Sequence, residues 1–250
     1  MRRYGPFYLK KKLVEKRLEA EVIKAGVPAY DTTKEVLMLE KLFPQYEPDI
    51  VVLVFLPNDL FTNTPIISNE NINIEDKSVR KKDEKSSSLN LLTLYKRILI
   101  SSDWVYSKLY TMTGRSQYFS STPTKTFKDQ LSITKDLLLR ALRYSKSRDA
   151  ELIVLSIPQQ FQVLYKANGY SLENSDVEII DNELVAFAKE NGFTWISVLD
   201  VLADYSNNED TDLYYRLDGH LNSEGNRVVS EYFTEMFIEI LGKRANNPGR

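Results

Sequence analysis

The chain has 250 residues, 42% of them hydrophobic, which suits one large domain or two small ones with a substantial core and excludes a fibre or a wholly disordered protein. Its 33 basic and 35 acidic side chains leave a net charge of −2, with no long basic stripe interleaved with aromatics, so no nucleic-acid partner is expected. The absence of cysteine removes disulfides, thiolate metal sites and cysteine nucleophiles; a single histidine excludes a multi-histidine metal site, and nothing calls for a cofactor.

The basic N-terminal residues lead into no apolar signal-peptide core, and no stretch reaches the about 18 apolar residues of a membrane span. The chain as given therefore reads as soluble, without a transmembrane segment. An upstream signal or anchor, the localisation and the oligomeric state stay open.

The first expected element is an amphipathic helix over Phe7 to Leu18, with Lys10, Lys11 and Lys12 as a solvated face. A short strand near Glu21 to Ile23 and a helix from Thr32 to Leu42 follow. The unbroken apolar run Asp49 to Phe55 then predicts a strand buried on both faces. An insertion spans about residues 61–124 of a single domain. Its first part, Asn63 to Asn90, is polar and charged and reads as loop. Its second part, Leu91 to Tyr110, is richer in Leu, Ile, Tyr and Trp, and reads as helix that packs on the body, covers a cleft or decorates the surface.

Lys125 to Ser145 reads as a helix with Leu131, Leu138 and Leu142 on one face. Glu151 to Ile157 repeats the continuous apolar strand pattern and stops at Pro158; a helix over Val177 to Asn191 and a strand over Phe193 to Val198 follow. The last helix carries Val228, Tyr232, Met236 and Ile240 beside Val229, Phe233, Phe237 and Leu241, which makes it the most amphipathic expected. Strands separated by helices imply an α/β fold, a three-layer α/β/α sandwich around a mostly parallel sheet.

In such sheets ligands bind beyond the carboxyl ends of the strands. Asn58, in Leu56-Pro57-Asn58-Asp59, stands at such an end, where its amide could donate to an oxyanion or simply make a turn. Gly26 could turn its backbone N–H toward a substrate or serve a turn. His220, in Asp218-Gly219-His220-Leu221-Asn222, precedes the last helix: it is either a polar loop residue that caps the helix or a general base with Asp218 to orient it. Ser156 is followed by Ile157-Pro158 rather than a strand-to-helix elbow, and Ser223 reads as a helix cap, so neither is assigned as nucleophile.

Lys24 to Tyr30, Val54 to Asp59 and Asp218 to Asn222, in that order, resemble the second, third and fifth blocks of the SGNH (GDSL-type) hydrolase superfamily. The resemblance covers nearly the whole chain and implies a flavodoxin-like sheet, a serine acyl-enzyme mechanism and a small-molecule or carbohydrate ester substrate. It makes His220 the general base, Asp218 its orienting acid, and Asn58 with the Gly26 N–H the oxyanion donors. The two-residue spacing from Asp218 to His220 resembles relatives of polysaccharide O-acetyltransferase type. The first block, a central strand ending in Gly-Asp-Ser, has no counterpart. The resemblance thus implies an ester hydrolase or O-acyltransferase domain, truncated at its N-terminus, without its first strand and nucleophile. The alternative is a noncatalytic protein that binds a glycan or a partner. The expectation for the sheet is a strand at 21–23 that pairs directly with 50–55 or forms a poorly bonded edge.

Overall fold

The structure, a computed structural model, describes residues 6–66, 102–170, 174–209, 211–216 and 219–245. Three parallel strands, β1 (Ile50–Phe55), β2 (Glu151–Ser156) and β3 (Thr194–Ser197), form one sheet in the order β1-β2-β3. Ile50 stands opposite Glu151, and Ile153 opposite Thr194. All three match the apolar runs of the sequence, the composition that a parallel strand between helices favours.

β2 shows that cover directly. Leu152 and Val154 enter one core, while Ile153 and Leu155 enter the other. The first core is closed by α2 (Thr32–Tyr46), α4 (Lys125–Lys146) and α6 (Ile179–Asn191), through Val36, Leu138, Ile180 and Leu184. The second is closed by α1 (Pro6–Glu15), α7 (Leu199–Glu209) and α8 (Ser223–Ala245), through Leu13, Leu202, Val229 and Phe233. Helices on both faces of a parallel sheet make the α/β sandwich that the alternating elements imply.

The remaining helices sit at the carboxyl end of the strands. α5 (Gln160–Ala167) follows β2 directly and sends Phe161 to the first core and Val163 to the second. Sequence periodicity does not reveal α5, because six of its eight residues are buried. α7 was also unanticipated. From the insertion, α3 (Asp103–Thr111) packs against α5. The rest of the expected Leu91 to Tyr110 helix, and the polar stretch beyond residue 66, lie outside the described residues.

Three expectations need correction. Residues 21–23 form no strand: Val22 is half-buried against the second core, Glu21 and Ile23 are exposed, and the segment pairs neither with β1 nor as an edge. β1 is not buried on both faces. Val51, Leu53 and Phe55 face the first core, but on the other side Val52 is 36% exposed, so the second core leaves β1 half-covered. The most amphipathic helix is α4, with eight buried residues on one stripe, rather than α8, whose apolar band is broad and partly exposed at Tyr232, Met236 and Ile240. Among the described residues, no helix is long and apolar enough to cross a membrane.

Candidate active site at the carboxyl rim of the sheet

β1 ends at Phe55, and Pro57 starts a short 3-10 turn, Pro57–Phe61, that carries Asn58 at the surface. The turn is held from beneath by its neighbour Asp59, which is buried. The Asp59 carboxylate accepts from the Thr32 hydroxyl (3.2 Å) and from the Leu56 N–H (3.4 Å), joining the turn to the first residue of α2. Asp31 caps that helix by accepting from the Lys34 N–H at 3.1 Å.

Behind Asp59 lies Glu35, whose Oε2 is shut off from solvent and has no hydrogen-bond partner among the described residues. Burial, then the charges of Asp59 and Asp31, push the Glu35 carboxyl up to about 9. Burial also raises Asp59 to about 7, against the hydrogen bonds from Leu56 and Thr32 that favour its charged form. Yet among the described residues no three acidic or histidine side chains come together as a metal site.

The segment that carries His220 is a hairpin clasped to the end of β2. Tyr214 and Leu221 form an antiparallel bridge, the Tyr215 N–H donates to the His220 carbonyl at 2.8 Å, and the Gly219 N–H donates to the Tyr215 carbonyl at 2.8 Å. Gly219 sits at φ 71°, a left-handed turn that glycine adopts without a side-chain clash. The buried Tyr214 hydroxyl donates to the carbonyl of Pro158, two residues beyond β2, at 2.8 Å. The Arg216 guanidinium holds both Asp212 oxygens (2.6 and 3.0 Å) and reaches Asp103 of α3 at 2.7 Å. His220 itself is exposed.

At the other end of the hairpin, the Asn222 side chain accepts from the N–H groups of Glu224 and Gly225 and so caps α8; Ser223, expected as the cap, is the first helical residue. Gly225 is where α8 presses on the hairpin. A Cβ there would lie 2.2 Å from the Leu213 carbonyl oxygen and 2.7 Å from the Leu221 side chain.

Asn58 and the His220 hairpin therefore cap the carboxyl ends of the adjacent strands β1 and β2. Gly26 lies on an exposed coil with open space where a Cβ would stand, five residues before the Asp31-Thr32 pair that joins the Asn58 turn. Asp218 lies outside the described residues. Ser156 is fully buried, and its hydroxyl donates to Asp181 at 2.7 Å, which Ser197 (2.7 Å) and the Trp195 indole N–H (3.3 Å) also do. Burial raises the Asp181 carboxyl, and these three donors oppose that rise. Ser156 thus ties β2 to α6 and β3 and is closed to substrate.

A polar cavity of about 220 Å³ opens beside the hairpin, lined by Asp103, Asn168, Ser206, Asn207, Asp212 and Arg216 among others; neither Asn58 nor His220 lines it. Tyr214, Arg216 and Asp103 escaped the sequence reading because their partners lie 56 and 113 residues away and leave no local pattern. No family model, curated protein or solved structure matches the chain.

Proposed function

We propose that the chain carries the oxyanion-binding and base-bearing part of an SGNH-type ester hydrolase or O-acyltransferase. The observation that supports it most is the common placement of the Asn58 turn and the His220 hairpin at the carboxyl ends of neighbouring parallel strands, where open α/β sheets bind ligands. In this reading His220, oriented by Asp218, removes the proton from an attacking hydroxyl. Asn58 and the Gly26 N–H receive the negative charge that develops on the ester carbonyl oxygen. The proton then passes from His220 to the departing alkoxide, and the acyl group goes to water or to a sugar hydroxyl. No Gly-Asp-Ser is present, Ser156 is buried, and no serine of the chain is assigned the attack, so the 250 residues lack the nucleophile.

Loss of the serine from such a constellation costs on the order of 10⁶ in turnover, whereas oxyanion donors and binding alone retain roughly 10³ over water. The test supplies the missing hydroxyl in solution. Acetyl transfer from p-nitrophenyl acetate to added methanol is followed with wild type, His220→Ala and Asn58→Ala, and each substitution is expected to lower the protein-dependent rate by about 10²-fold. Transfer indifferent to both substitutions overturns the reading. Fast His220-dependent hydrolysis without added alcohol would show a nucleophile within the chain.

The polar cavity between α3, α5 and α7 favours a second reading, a noncatalytic protein that binds a glycan or partner, because its lining of amide, hydroxyl and charged groups excludes Asn58 and His220. Glycan binding lost on Asn207→Ala, with no effect of His220→Ala on any transfer, separates the two.

A further inference from the structure

The polar cavity of about 220 Å³ is walled by elements far apart in sequence: Asp103 of α3, the carboxyl ends of α5 and α7, and the arm of the hairpin that carries Asp212 and Arg216. One guanidinium joins two of these walls. Arg216 holds both oxygens of Asp212 and reaches Asp103 at 2.7 Å, which links α3 to the hairpin across the cavity.

The hydrogen-bonding groups left over define what the cavity can hold. A carboxylate offers about four lone-pair sites, so Asp103 and Asp212 still accept after Arg216 is bound. Asn168 donates its side-chain N–H to the Leu164 carbonyl at 2.8 Å, which leaves its amide oxygen as an acceptor. The Ser206 hydroxyl and the Asn207 amide make no side-chain hydrogen bond among the described residues and supply both donors and acceptors. A phosphate only accepts, and two carboxylates that share a single guanidinium repel it. An ammonium only donates and leaves the Asn207 N–H groups unmatched. A hydroxyl donates and accepts, and meets both kinds of group.

Size narrows the class further. The volume lies below the roughly 300 to 1,000 Å³ of pockets for drug-sized ligands, so the cavity takes one ring and not a chain. Leu164 and Ala167 add a narrow apolar strip, against which the C–H face of a pyranose can lie while its hydroxyls meet the polar wall.

We infer that this cavity seats one neutral sugar residue, whose neighbouring hydroxyls donate to Asp103 and Asp212 and accept from the Asn207 amide. The inference rests on the second reading above, of the cavity as a binding site, and commits it to a ligand class and to contacts. Asn58, Asp218 and His220 take no part in it.

The probes are methyl glucoside, methyl galactoside and methyl mannoside, with spermidine as the cation and inorganic phosphate as the anion, each added to the 250-residue protein. Proton saturation transfer reads the organic probes, and the phosphorus line width reads phosphate. At least one glycoside is expected to bind with a Kd of about 1 mM, and spermidine and phosphate to leave no signal. Asn207→Ala, at an exposed position of α7, is expected to weaken glycoside binding about tenfold with unchanged circular dichroism. Asn168→Ala, at the end of α5, is expected to weaken it severalfold, so the assignment is read from two walls of the cavity. Spermidine or phosphate binding in place of the glycosides, and lost on Asn207→Ala, overturns the sugar assignment and keeps the cavity as a binding site. Glycoside binding that both substitutions leave intact overturns the seat and keeps the glycan-binding reading. Binding of none of the probes overturns the inference, and leaves the ester reading to the methanol-transfer test.

Discussion

Glu35 gives the most direct check on the architecture beneath the Asn58 turn. Its carboxyl, normally near 4.5, rises to about 9 in the folded protein because burial and the neighbouring Asp59 and Asp31 charges disfavour ionisation. The folded state then holds a proton that the unfolded chain has released, so stability is greatest near and below the unfolded value and declines as pH rises toward 9. Asp59 acts in the same direction over the window from 3.8 to about 7. The Asp59 charge is one of the causes that raise Glu35, so the two titrations are linked and we count one proton rather than two across neutral pH. One proton corresponds to about 1.4 kcal/mol per pH unit, hence at most about 4 kcal/mol lost between pH 5 and pH 8. Few other groups titrate there, since the chain has one histidine. Urea unfolding at the two pH values measures the difference. Glu35→Gln keeps the shape and removes the titration, so it is expected to be more stable than wild type at pH 8 and to halve the pH dependence or better. Wild type equally stable at both pH values, or a variant with the wild-type slope, would refute the burial of a neutral Glu35.

Gly225→Ala places a methyl group 2.2 Å from the Leu213 carbonyl oxygen, a backbone neighbour that cannot rotate away. We expect a loss of about 2 to 3 kcal/mol in chemical unfolding; a change of a few tenths would mean α8 does not press on the hairpin as described. Asp181→Ala strands the hydroxyls of Ser156 and Ser197 and the Trp195 N–H inside the protein. About 3 kcal/mol, or roughly 10 °C in melting temperature, is the expected cost. An unchanged Tm would leave those donors satisfied by groups other than Asp181.

Much of the fold was legible where one physical signal acts alone. The runs at 49–55, 151–157 and 193–198 read as parallel strands because both flanks of such a strand are normally apolar, and α4 read as a helix from Leu131, Leu138 and Leu142. Glu21-Val22-Ile23 misled because three residues with one alternation fit a coil as well as a strand, and only a ladder partner could have decided between them. At the rim, the sole histidine drew attention to the segment that proves to be a hairpin at the end of β2. What fixes that hairpin was hidden, since Arg216 to Asp103 and Tyr214 to Pro158 are contacts that only the assembled sandwich creates.

β1 brings the two kinds of reading into conflict, and the conflict is informative. Its six residues, Ile-Val-Val-Leu-Val-Phe, contain no charge, no proline and no glycine, the devices with which an edge strand discourages further pairing. Among the described residues it nevertheless has one neighbour, β2, and leaves Val52 at the surface, outside the second core. A strand with an interior composition at an edge position is locally inconsistent, and such inconsistencies concentrate where function or assembly supplies the compensation. In the proposed esterase reading the compensation is a further strand beside β1, which would cover Val52 and end at the same rim as Asn58.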